Sequence, residues 1–282
     1  MRVDEYNSFA NQLQRYASAL SRLESLHIRL ADGCRLRAYQ KRLAQVTVDP
    51  RSAIDSQLVI AVTYDLREID EVNEIVENLP ATLDSETLTL LQKVASGSEH
   101  PDDELDAPGR EAQYELYLGT MLRRGGIPAR HGKPDLVATW HNKEFFIEAK
   151  RPASAKGFDN RLRSAVHQAR ALVRPGIIAV CVDQLVRPAD GLMVVKDFNA
   201  LAPSVDNLVR KFVVEQAHTL RKRLSTNEPV AALLLTARVP ARIAATGHSS
   251  LGTSIQLHPL LAGSIEAKFA SSIIPLFAGS PS

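Results

Sequence analysis

Lys133-Pro134-Asp135-Leu136-Val137-Ala138-Thr139-Trp140-His141-Asn142-Lys143-Glu144-Phe145-Phe146-Ile147-Glu148-Ala149-Lys150 is the stretch on which the reading of this chain turns. Residues 135–140 and 145–150 have strand composition, and the polar His141-Asn142-Lys143 between them makes a turn, so the stretch reads as an antiparallel hairpin. Side chains alternate across a strand, so Glu148 and Lys150 project from one face and Ala149 from the other. In such a hairpin Asp135 lies opposite the end of the second strand, near Glu148. Two carboxylates at that separation suit Mg²⁺, which takes oxygen ligands and keeps several waters. An adjacent ammonium can orient an attacking water and offset charge building on a phosphate. The solvated face of an ordinary hairpin also carries Asp, Glu and Lys. Here, however, Glu148-Ala149-Lys150 follows directly on the apolar run Phe145-Phe146-Ile147.

Upstream, residues 110–124 have helical apolar spacing (Tyr114, Tyr117, Leu118, Met121, Leu122), carry Glu115 beside that face and stop at Gly125-Gly126. Downstream, residues 151–157 read as a loop and 158–173 as a helix ending before Pro175-Gly176. Residues 177–182 are continuously apolar, which predicts a strand buried on both faces and parallel to a neighbour after the helical crossover. A further amphipathic helix is expected over 205–224, with Arg221-Lys222-Arg223 in its last turn serving the helix dipole first and phosphate second. Residues 231–237 and 253–258 read as strands that widen the sheet.

The order of helix with Glu115, Gly-Gly stop, Pro134-Asp135, Glu148-Ala149-Lys150 and helix resembles the PD-(D/E)xK nuclease superfamily, the restriction-endonuclease-like fold, over residues 108–185. The resemblance implies an α/β fold, a central mixed β-sheet flanked by helices, preceded here by an N-terminal mostly helical region. It implies Asp135 and Glu148 as metal ligands, with the backbone carbonyl of Ala149 as a third and Glu115 as the additional acid. It implies Lys150 as the catalytic lysine, and Gln168 as the polar residue on the following helix, with His167 and Arg170 close by. No tyrosine follows Gln168 at the spacing some subfamilies show. The activity implied is Mg²⁺-dependent hydrolysis of phosphodiesters, with Mn²⁺ as a substitute and DNA as substrate, in a setting such as restriction or phage defence. A silent nucleic-acid-binding or assembly subunit and an RNA-cleaving enzyme are the alternatives on the same scaffold.

Charge is unevenly spread although the net value is only +2. Residues 61–107 hold thirteen Asp or Glu against Arg67 and Lys93. From 122 to 174 there are twelve bases against four acids, an excess of +8 around the hairpin. A basic surround suits an enzyme that grips phosphates while carboxylates hold a metal, and Arg124, Arg130, Lys133, Arg151, Lys156, Arg161, Arg163 and Arg170 are the expected nucleic-acid contacts. A solvated helix face is the plainer explanation of such a run.

Residues 4–46 read as helical with a break at Gly33, residues 56–78 as a second helix and 85–95 as a third, capped by Asp84 or Ser85. Residues 58–62 fit helix or strand. Residues 96–103 have linker chemistry, completed by Pro108-Gly109, which puts a boundary near residue 105. The expected division is a helical region over 1–105, acting as a cap, homodimerisation surface or docking site for a partner protein, and a nuclease-like domain over 106–282.

At 282 residues, 45% hydrophobic and 23% charged, the composition is that of a globular chain. Cys34 and Cys181 lack a C-x-x-C partner, which argues against a zinc site or a disulfide framework, and Cys181 reads as core. The eight histidines show no H-E-x-x-H spacing, and neither a P-loop nor Gly-x-Ser-x-Gly occurs. His131 and His141 read as solvated loop residues, and Trp140 as packing. No apolar leader or ~20-residue apolar span is present, so no membrane partner and a cytoplasmic location are expected.

Overall fold

A computed structural model describes residues 4–5, 9–48, 56–96, 107–188, 191–224, 229–247 and 249–278. A two-residue strand, β1 (Asp4–Glu5), precedes five helices: α1 (Phe9–Ser25), α2 (Arg35–Val48), α3 (Ser56–Glu77), α4 (Ser85–Ser96) and α5 (Ala107–Arg124). Then come β2 (Ala129–His131), β3 (Leu136–Trp140), β4 (Lys143–Lys150), α6 (Ala155–Ala169), β5 (Gly176–Cys181) and β6 (Met193–Val195). The chain closes with α7 (Phe198–Glu215), α8 (Ala217–Arg223), β7 (Val230–Ile243), β8 (Ser249–Pro259) and α9 (Ile265–Ala278). The fold is α/β, a mixed sheet between helical layers with a helical N-terminal region.

The sheet order is β1-β8-β7-β5-β4-β3-β2, with β6 also paired to β7. β4, β5 and β7 run parallel in sequence, β6 runs parallel to β7, and the remaining pairings are antiparallel. The hairpin of β3 and β4 is in the expected register, with Leu136 opposite Ile147 and Trp140 opposite Lys143. Its turn needs only His141 and Asn142, which adopt φ of 48° and 58°. That pair of left-handed residues matches the twist of the flanking strands, so Lys143 belongs to β4 and not to the turn.

Strand alternation divides the core in two. Ile177, Ala179 and Cys181 of β5 and Ile147 and Ala149 of β4 belong to a cluster that continues through α5 and α9 to α1–α4. Ile178, Val180 and the following Val182 pack with Leu233 and Leu235 of β7 against α6 and α7. β5 is thus buried on both faces, as its unbroken apolar run requires. On the first face one cluster runs without interruption from Tyr16, Leu20 and Leu23 of α1 through Leu66 and Ile69 of α3 to the sheet. Each such side chain contributes roughly 1.5–3 kcal/mol on burial.

Several boundaries differ from expectation for local reasons. α5 begins at Ala107, so Pro108-Gly109 lies in its first turn; a proline is tolerated there because those N–H groups have no helical acceptor. Ser154 caps α6 by accepting from Gly157 N at 3.0 Å, starting the helix before residue 158, and the helix ends at Ala169. The helix expected over 205–224 is two: Gln216, at φ −91° and ψ 7°, separates α7 from α8. α7 also begins earlier, at Phe198, where Asp197 accepts from Ala200 N at 3.0 Å. Residues 58–62 are helical within α3, and Asp84 caps α4 by accepting from Thr87 N at 2.6 Å. Of the linker expected over 96–103, Ser96 is the last residue of α4, and the rest, with the boundary near 105, lies outside the described residues. Among the described residues no helix is long and apolar enough to cross a membrane.

α3 is enclosed along most of its length. Val62, Leu66, Ile69, Val72 and Ile75 face the apolar cluster, while Asp65, Arg67, Glu68, Asp70, Glu71 and Glu74 are equally buried. The five acids of the block from Asp65 to Glu74 are therefore internal, while Glu77, Asp84 and Glu86 stay exposed. Glu68 meets Arg35 at 3.2 Å, Arg67 at 2.6 Å, Arg110 at 3.2 Å and Arg151 at 2.9 Å. Arg151 also meets Glu71 at 2.8 Å and Asp183 at 2.9 Å, and Arg238 of β7 pairs with Asp70. Buried charges persist only when paired in this way.

Candidate metal centre at the end of β4

Asp135 stands just before β3 and, by extension of the register, opposite Glu148. Its Oδ2 accepts from Ala149 N at 2.8 Å and lies 3.4 Å from Lys150 Nζ. Lys150 Nζ donates to Glu148 Oε1 at 2.5 Å, placing the ammonium between both carboxylates. Ile147 and Ala149 face the first cluster, so Glu148 and Lys150 project to the face that α6 covers. A residue's N–H and C=O leave a strand on the same edge. The Ala149 carbonyl therefore points to the side from which Asp135 takes its N–H.

The centre is enclosed. The Glu148 side chain is 3% exposed, Lys150 9% and Asp135 24%. Burial pushes the Glu148 carboxyl up to about 7; Lys150 pulls it down and Asp135 pushes it further up. Burial works against the Lys150 charge, but Asp135 and Glu148 outweigh it and hold its pKa above the ordinary value. Glu148 Oε2 is buried with no hydrogen-bond partner.

Glu115 lies on α5 and is not gathered with that pair. Its Oε1 is 3.1 Å from Nδ1 of His131, and burial, then the charge of Asp135, raises its pKa to about 9. His131 was expected to be solvated; instead β2 carries it under α5, where burial lowers its pKa to about 4. The approach is close because residue 119 is glycine: a Cβ there would stand 3.0 Å from His131 Cε1. Glu111, one turn before Glu115, is the acid that sequence reading missed. It is held by Arg161 Nε at 3.0 Å, and Lys150 and Asp135 both act on its charge. The i, i+4 spacing of Glu111 and Glu115 on one helix was the available signal.

Two expected site residues need correction. Gln168 is exposed on α6, its amide oxygen accepting from Ser164 Oγ at 3.4 Å, two turns beyond Arg161, and it has no hydrogen bond to the centre. Arg151, expected on a nucleic-acid surface, is buried at 2% exposure within the α3 network. Of the other bases, Arg124 pairs with Glu74, Arg130 with Glu144 at 3.1 Å and Arg161 with Glu111. Lys133, Lys156, Arg163 and Arg170 are exposed, as is His167. Trp140 packs on Phe145 and Phe269, with ring centroids 5.9 and 5.7 Å apart, and both cysteines are buried thiols.

A metal ion held wholly by protein is not supported, since no three His, Cys, Asp or Glu side chains gather to hold one among the described residues. Asp135 with the unpartnered Glu148 oxygen instead forms a two-carboxylate set, of the kind hydrated Mg²⁺ accepts. Comparison of the chain with family models, curated proteins and solved structures finds no match.

Proposed function

We propose that this protein is a metal-dependent nuclease that hydrolyses phosphodiester bonds, with DNA as substrate and a restriction-endonuclease-like core as scaffold. The observation that carries this reading is the convergence of Asp135, Glu148 and Lys150, with Glu148 Oε2 buried and lacking a donor. A buried oxygen of that kind costs free energy unless something satisfies it. Asp135 and Glu148 are the residues to hold Mg²⁺ or Mn²⁺, with the Ala149 carbonyl on the same edge. Bound there, the ion would polarise a phosphate oxygen and lower the pKa of a water. Lys150, poised between the two carboxylates, orients that water and offsets charge on the phosphate. Glu115, through its contact with His131, fixes the α5 wall of the centre.

The enclosure of Glu148 and Lys150 favours a second reading, a nucleic-acid-binding or assembly subunit without turnover. Both readings meet in one experiment: duplex DNA, single strands and RNA are incubated with Mg²⁺, Mn²⁺ or EDTA, using the native protein, Asp135→Ala and Lys150→Ala. The expected result is metal-dependent cleavage of DNA, reduced at least ~10²-fold in both variants with binding retained. Undiminished cleavage by Lys150→Ala removes the mechanism. Absence of cleavage of every substrate in either metal leaves the silent subunit, and cleavage of RNA alone moves the substrate.

A further inference from the structure

On the solvent side of α6, residues Asn160, Arg163, Ser164, His167 and Arg170 recur at helical intervals and form one stripe. α8 lies across from it and contributes Lys222 and Arg223, so the stripe becomes one wall of an open groove of about 550 Å³. α8 is held there by Arg223, whose Nε and Nη2 donate to the two oxygens of Asp159 at 2.7 and 2.8 Å. Among the described residues no acidic side chain lines the groove. The adjoining Asp159 is held by Arg223 and also feels Lys222 and Arg163, so one carboxylate sits among three cations. Arg161 turns away from the stripe onto Glu111, which places groove and metal centre on different sides of α6.

We propose that the groove between α6 and α8 binds the phosphodiester backbone of a nucleic acid strand, as a site separate from Asp135 and Glu148. The Arg163 guanidinium, the Lys222 ammonium and the Asn160 amide all carry N–H donors, the complement of a row of phosphate oxygens. Among the described residues the groove offers no aromatic platform and no acid that would read a base edge, so recognition is of backbone and not of sequence. Elsewhere part of the basic excess is consumed: Arg124, Arg130, Arg151 and Arg161 each meet an acid. Among the described residues Arg163 and Lys222 face a groove whose lining holds no acid, and an excess of positive charge on one face is the electrostatic footprint of a polyanion.

The inference adds a substrate-holding surface to the nuclease reading, and the test keeps the two apart by measuring binding in EDTA. Fluorescent single-stranded and duplex oligonucleotides are titrated into the full chain, into Lys150→Ala and into a triple variant, Arg163→Ala, Arg170→Ala and Lys222→Ala. All three positions are exposed, and a thermal melt confirms that the triple variant is folded. The native protein and Lys150→Ala should bind alike, while the triple variant loses about 10- to 100-fold and its dependence of log K on log salt falls by roughly 2–3. Undiminished binding by the folded triple variant, or no binding by the native protein, overturns the groove whatever the cleavage assay shows. Equal competition by polyglutamate also overturns it, since that would identify a docking site for acidic polypeptide. Failure of cleavage with groove-dependent binding intact sinks the metal centre alone.

Discussion

Glu148 is subject to opposing influences: burial drives its carboxyl towards the neutral form, while Lys150 at 2.5 Å favours the charged one. With its pKa near 7 and that of Glu115 near 9, both above the ordinary glutamate range, the folded protein without metal binds protons that the unfolded chain releases. Their contribution to stability is complete below about pH 4.5 and is lost as pH rises through about 7 and about 9. The metal-free protein in EDTA should therefore melt at lower temperature at pH 8.5 than at pH 6. A divalent cation favours the deprotonated carboxylate, so Mg²⁺ should raise the melting temperature more at pH 8.5 than at pH 6, and Glu148→Gln should erase that increment. Equal Mg²⁺ shifts at both pH values, or in the variant, would show that Glu148 does not hold the ion. At this scale the sequence located Asp135, Glu148 and Lys150, because strand alternation and hairpin register are local rules. It misplaced His131, whose burial depends on a glycine in another element, and Gln168, whose spacing from the lysine was met on the wrong face of α6.

Among the elements, α3 departs most from what its sequence suggests in isolation. A helix with so many acids reads as solvated, yet Glu68 accepts from or pairs with Arg35, Arg67, Arg110, Arg151 and Gln113 inside the protein. These partners come from α2, α3 itself, α5 and the residue after β4. Removing the shared anion would leave several buried guanidinium groups with fewer partners, and the loss of one member of a buried pair costs about 3–5 kcal/mol. Glu68→Ala should lower the unfolding free energy by about that amount in a denaturant titration. An unchanged midpoint would mean that the network contributes charge balance without stability. Arg151 neighbours Lys150, so the same network anchors the end of β4 from the other side of the sheet. Substitution of Glu68 should accordingly weaken the proposed DNA cleavage as well as the fold.

For the molecule as a whole, the helical region and the sheet share one apolar cluster and one ionic network. A fragment of residues 106–282 would lose α3, which packs on β7 and α5 within the shared cluster, and would strip Arg151 and Arg238 of their α3 partners. It should not unfold cooperatively, as checked by thermal melting under circular dichroism beside the full chain. A sharp transition in the fragment would establish the region over 1–105 as a separable cap.

The sequence by itself determined the elements whose signals are local. These are the hairpin and its register, the Gly-Gly stop after α5, the doubly buried β5, the capped α4, and the two carboxylates with their lysine. Periodicity and turn chemistry operate over a few residues, so they can be read along the chain. Tertiary structure alone decided which of the many charges face inward. Arg151 and Arg163 are the same residue type a few positions apart, yet one is sealed among Glu68, Glu71 and Asp183 while the other lines an open groove. What separates them is burial and the partners brought from distant parts of the chain, which no short window of sequence contains.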